Sequence, residues 1–147
     1  MTQLRLRWIM ATVAVVLLTC AGASWGHGQA TNSGTVVGEF SNYSSGLGKA
    51  GNIGGGAGNS VTFSNVTVPA DGTYQLEIDY QTSGLRSYFM SINGAPDTEL
   101  DLNGSTFSDP VPTVLRVQLH AGTNTISFGN PSGYSPDLDR IVVASAF

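Results

Sequence analysis

The stretch "TYQLEIDY", residues 73–80, alternates without a break. Tyr74, Leu76, Ile78 and Tyr80 face one way, while Thr73, Gln75, Glu77 and Asp79 face the other. A period of two over eight residues, rich in aromatic and β-branched side chains, specifies a half-buried strand. Upstream, "VTFSNVTV" (61–68) is equally β-rich, but its alternation changes phase at Ser64–Asn65, which predicts a bulge or a bend between sheets. "PADG" (69–72) supplies the turn between these two strands.

The pattern repeats downstream. "SYFMSI" ends at Asn93–Gly94, a tight-turn pair. "TELDL", "TVLRVQL" and "TNTISF" follow, separated by turn signals at "NGS", "SDP" and "AGTN", and "LDRIVVASAF" closes the chain. In "TVLRVQL", Leu115, Val117 and Leu119 alternate with Arg116 and Gln118. Short strands about every ten residues, with no helical periodicity anywhere, predict an all-β antiparallel β-sandwich or jelly roll. Residues 28–60 are Gly-rich and read as long loops with one or two short strands. "GNIGGGAGN" (51–59) is no phosphate loop, because it lacks GK[ST] and a following helix. Its glycines serve positive φ or close backbone approach.

The chain has 147 residues, room for a single domain. Arg5 and Arg7, the apolar run Ile9–Leu18 and the small residues Ala21–Gly22–Ala23 together predict a signal peptide over 1–23, with the domain occupying 24–147. Cys20, in "LLTC", leaves lipoprotein anchoring as a minor alternative to a free secreted or periplasmic chain. Without the leader, Lys49, Arg86, Arg116 and Arg140 face ten acidic residues, four against ten, for a net charge of −6. That balance argues against nucleic acid or an anionic membrane surface as partner, and no segment reads as a membrane span. Cys20 is the only cysteine, so no disulfide framework is expected after export.

"GNPSGYSPDLDRIVV" (129–143) crowds Asp137, Asp139 and Arg140 at the start of the last strand. At i, i+2 the two aspartates share a strand face about 6–7 Å apart. That spacing is permissible for a glycosidase pair, but such carboxylates normally come from different elements flanking a cleft. No GxSxG elbow is present, and the two histidines of the mature chain are His27 near its start and His120 before a turn. The chain therefore reads as a non-enzyme. Calcium would take carboxylates, amides and carbonyls here. A salt bridge of Asp137 or Asp139 with Arg140 or Arg86 explains the charges equally well.

Taken together, "GKAGNIGGGAGNSVTFSNVTVPADGTYQLEIDY", "LRSYFMSING" and "LHAGTNTISFGNPSGYSPDLDRIVV" resemble carbohydrate-binding modules of family 35, relatives of family 6, as appended to secreted bacterial glycoside hydrolases such as α-galactosidases. The resemblance runs from about residue 29 to 145. It implies a jelly roll that binds carbohydrate without catalysis, recognising a terminal galactose-like or uronic sugar or a plant polysaccharide. A structural/adhesion domain of the cell envelope, with the same fold and no sugar binding, is the alternative.

The resemblance also implies a structural Ca2+, held by the opening strand and a late aspartate. Gln29 and Thr31 fall where the family's acidic ligands stand, and Asp139 matches the late aspartate. For the sugar, Asn130 corresponds to the family's late-loop asparagine and Arg86 to the arginine before "NG". Asn52 stands where the family often has its aromatic platform. Tyr134, Tyr88 or Tyr43 would then have to supply the stacking ring, Tyr134 first among them because it lies in a loop between Gly133 and Ser135. Tyr88, on a strand beside Phe89, reads as core as readily as platform.

Overall fold

A computed structural model describes residues 48–145, together with the backbone of three short strands at 16–19, 30–32 and 37–38. Nine strands follow in chain order: β1 (Val16–Thr19), β2 (Ala30–Asn32), β3 (Val37–Gly38), β4 (Ala50–Gly51), β5 (Val61–Val68), β6 (Gly72–Ile92), β7 (Thr98–Leu119), β8 (Gly122–Gly129) and β9 (Asp137–Ser145). Every pairing is antiparallel. Hydrogen bonding runs β2-β5-β8-β6-β9-β4-β3, with β7 along β6 and β1 along β9. The apolar run expected as a leader thus contributes β1, opposite residues 140–143. Among the described residues no helix is long and apolar enough to cross a membrane.

The organising element is β6, which changes partners halfway. Residues 74–81 pair with β9, residues 89–92 pair with β8, and β7 follows it along nearly the whole length. The two layers of the sandwich therefore share one long hairpin. "NGS" and "SDP", expected as turns between separate strands, both lie inside β7, and the ladder to β6 runs unbroken through "NGS". At "SDP" the ladder does slip: Tyr80 pairs with Val111 and Thr82 with Thr106, so Phe107–Pro110 is thrown out of register opposite Gln81. This bulge matters for the site.

Burial follows the alternation read from sequence. Tyr74, Leu76, Ile78 and Tyr80 are all in the core. The phase change in β5 is a register shift between Phe63 and Val66 that leaves Ser64 and Asn65 outside. Phe63 and Phe128 meet edge to face, with centroids 6.2 Å apart, and Tyr88 packs on Phe128 at 5.2 Å. Each such ring contributes about 1.5–3 kcal/mol through burial. Tyr88 is therefore core.

Asn93 and Gly94 both adopt positive φ (53° and 73°), the primed turn that matches strand twist. Asn93 Nδ2 donates to Asn124 Oδ1 at 2.8 Å, and the buried Asn124 amide in turn donates to the carbonyls of His120, Gly122 and Val66. Tyr74 Oη donates to the Ala70 carbonyl, 2.8 Å away across the "PADG" turn. Tyr74→Phe keeps the packing and leaves that carbonyl without its donor. We expect a loss of about 1–2 kcal/mol in urea unfolding, with an unchanged m-value.

Candidate functional site

Three features of the fold converge at the middle of the hairpin: the bulge in β7, the loop after β4, and the loop between β8 and β9. Between them lies a pocket of about 370 Å³ lined by Asn52, Arg86, Phe107, Tyr134 and Asp137. Three of the four sugar-site residues expected from sequence, Asn52, Arg86 and Tyr134, thus meet at one surface. Phe107 and Asp137 join them.

Glycine explains how the two loops come so close. Gly54 has φ +85°, and a Cβ there would stand 2.3 Å from the Gly133 carbonyl oxygen. The Gly55 amide donates to that oxygen at 2.7 Å, the Ser135 amide donates to the Ile53 carbonyl at 2.9 Å, and Gly54 and Tyr134 form an isolated bridge. A Cβ on Gly55 would touch the Tyr134 ring at 3.0 Å. The ring therefore lies on bare backbone, supported from below and 59% exposed.

Asn130 does a different job. It is 7% exposed, and both ends of its amide are engaged. Nδ2 donates to the Ser87 carbonyl at 3.1 Å, while Oδ1 accepts from the amides of Ser132 and Gly133 at 3.1 and 2.9 Å. It folds the loop that presents Tyr134 and is not among the residues that line the pocket.

Arg86 lies across the Phe107 ring, with Cζ 4.9 Å from the centroid, and Nη1 donates to the Ser135 carbonyl at 3.1 Å. One planar donor group is thereby fixed at the pocket wall with further N–H groups to offer. Lys49, almost fully buried, donates to the Phe107 carbonyl at 2.8 Å and pairs with Asp137 at 2.6 Å. It ties the bulge to the start of β9, and so sets the spacing of two pocket walls.

Asp137, Asp139 and Arg140 have three separate roles. Neighbouring residues on a strand point to opposite faces. Arg140 reaches its register partner Asp79, with which it forms a short ion pair, and Glu77 at 3.8 Å. The salt bridges expected within the cluster are replaced by these two and by Lys49–Asp137. The Asp79 carboxylate, hydrogen-bonded to the guanidinium, holds the Arg140 pKa above its ordinary value.

Asp139 sits at the register shift of β9 and is fully buried. Of the other two residues assigned to calcium, Gln29 lies outside the described residues, as does Tyr43. Thr31 is described as backbone only, paired with Thr62. Among the described residues no three His, Cys, Asp or Glu side chains cluster as a metal site.

The residues that sequence reasoning missed are Phe107, Lys49 and Asp137 as a wall. The phase break after "TF" before "SDP" carried the signal for Phe107, but it also reads as a turn. Lys49 is the only lysine of the chain, set in a Gly-rich loop where a cation has no other reason to be buried. The pocket has a guanidinium and an amide as donors, a carboxylate as acceptor, and two rings as apolar surface. That combination suits a hydroxyl-bearing ring with one apolar face. Among the lining residues no nucleophile is paired with a base.

The sequence model of carbohydrate binding module family 35 matches residues 24–144. A search of curated proteins finds no match. Among solved structures, a family 35 carbohydrate binding module from Clostridium thermocellum is 31% identical over 79% of this chain and 92% of its own, with a TM-score of 0.76. An exo-beta-1,3-galactanase from Phanerochaete chrysosporium, solved with beta-1,3-galactotriose, is 30% identical over 79% of this chain, with a TM-score of 0.65. This chain covers 27% of that enzyme's length. A family 35 module from Cellvibrio japonicus, 20% identical over 91% of this chain and 95% of its own, shares the fold at a TM-score of 0.68.

Proposed function

The chain belongs to carbohydrate-binding module family 35, a family of non-catalytic jelly rolls, and from that membership we propose that its pocket holds a galactose-configured sugar at the end of a plant polysaccharide. The observation that carries this reading is the convergence of Asn52, Arg86, Tyr134 and Asp137 on one pocket. Tyr134 stacks on the apolar face of the pyranose, Arg86 and Asn52 donate to its hydroxyls, and Asp137 accepts from them. The galactanase likeness points to the same configuration.

One exposed ring and a shallow pocket bury little area, so a Kd between about 10 µM and 1 mM is expected. Titration calorimetry with galactose and glucuronate tests the proposal. Galactose should bind at least about tenfold more tightly. Equal binding, or preference for the uronate, would reverse the assignment, and silence towards every glycan would return the chain to an envelope structural domain.

A structural Ca2+ at Asp139 is part of the same proposal. Calcium takes about six to eight oxygens, and the described residues bring one buried carboxylate, so backbone carbonyls and residues 29 and 31 must complete the shell. An ion held at a hundred times its Kd adds about 2.7 kcal/mol. Chelation should therefore lower the melting temperature by roughly 10 °C, and a melting curve unmoved by chelator removes the metal. The proposal also places the protein outside the cytoplasm, secreted or periplasmic, with residues 1–23 removed. Mass spectrometry of the exported N-terminus separates that from a lipid on Cys20.

A further inference from the structure

A second, smaller hollow of about 160 Å³ lies on the other side of the loop that carries Tyr134. Phe89, Pro131 and Ala57 give it apolar walls, and Asp97, Ser60 and Ser127 give it polar groups. Its relation to the first pocket is set by two loops. Residues 52–57 begin in the first pocket at Asn52 and reach the second at Ala57, while residues 130–134 begin in the second at Asn130 and Pro131 and reach the first at Tyr134. The loops are joined by the Gly55 amide donating to Gly133 and the Gly56 amide donating to Asn130. They form a two-stranded ridge with a hollow at each end, and the exposed Tyr134 ring rests on it. Five residues span at most about 17 Å, so both hollows lie within the reach of one short oligosaccharide.

From this placement we propose that the second hollow is an extension subsite for the same polysaccharide, taking a sugar two units along the chain from the one held at Arg86. Phe89 offers ring surface, and Asp97 with the two serines offers acceptors and donors for hydroxyls. The charge suits a neutral glycan and opposes a uronate-rich one. The assignment rests on the galactose reading of the first pocket, so its test must separate the two.

The experiment titrates the full chain with galactose, β-1,3-galactobiose and β-1,3-galactotriose, and repeats it with Asp97→Asn and Phe89→Ala. Asp97 is exposed, so its replacement leaves the fold intact even if Phe89→Ala does not. The trisaccharide should bind about tenfold more tightly than galactose. Either substitution should cancel most of that gain and leave galactose affinity within about twofold. Equal affinity for galactose and the trisaccharide overturns the subsite and leaves the first pocket standing, as does a gain that survives both substitutions. Absence of binding by all three sugars overturns both assignments.

Discussion

Gly54→Ala is expected to cost both stability and sugar binding. The new Cβ would sit 2.3 Å from the Gly133 carbonyl oxygen and 2.9 Å from the Asn130 Cβ, and φ there is +85°. Backbone on the facing loop cannot yield as a flexible side chain would. A left-handed alanine costs about 1 kcal/mol, and forcing the loops apart adds about 1–3 kcal/mol. Together these should lower the melting temperature by roughly 10 °C. Because the same contact positions Asn52 and seats Tyr134, galactose affinity should fall by at least tenfold even at temperatures where the variant is folded. Gly58 is the control: it has open space around it, so Gly58→Ala should melt and bind as the parent does. A Gly54→Ala variant that binds normally would mean the two loops do not form the site together.

Tyr134→Ala should separate binding from stability. The ring is 59% exposed and rests on glycine backbone, so its removal exposes little new surface and should leave the melting temperature nearly unchanged. Losing a stacked ring from the centre of a small site is worth about 2 kcal/mol, or roughly 30-fold in Kd. Tyr134→Phe preserves the stacking face and should keep most of the affinity. Full binding by the alanine variant would transfer the platform role to Phe107, the only other ring among the described residues of the pocket wall.

The strands were legible because alternation is a local signal. "TYQLEIDY" places its four apolar side chains in the core as read, and the slip at Ser64–Asn65 appears where the phase changed. Asn93–Gly94 announced its own turn. What stayed hidden depends on pairing between distant segments. Whether "NGS" and "SDP" end a strand or bend one cannot be decided without β6 beside them, and Phe107 reaches the pocket only because the ladder slips there. Lys49 and Asp137 stand 88 positions apart, so no spacing rule joins them.

The binding residues divide in the same way. Arg86, Asn52 and Tyr134 were identified through resemblance, and the pocket brings them together. Asn130 was assigned to the sugar by the same route, but its amide is occupied with the loop. A side chain that shapes a site and one that touches its ligand look alike in sequence. They differ only in where their hydrogen bonds go.

The shared β6–β7 hairpin has a consequence for how the protein comes apart. Its turn closes only a few residues between Ile92 and Thr98, so it is the least costly long structure for the unfolded chain to make. Both layers then assemble on it, and neither can peel away without disturbing the ladder that supports the other. In native-state hydrogen exchange the amides of β6 should be the last to exchange, and they should do so together, as one cooperative unit. The Gly-rich loops hang on this frame by a few backbone bonds and should open far earlier. The protein would then gain or lose its grip on a glycan by local opening, on a timescale set by two loops, while its frame stays closed.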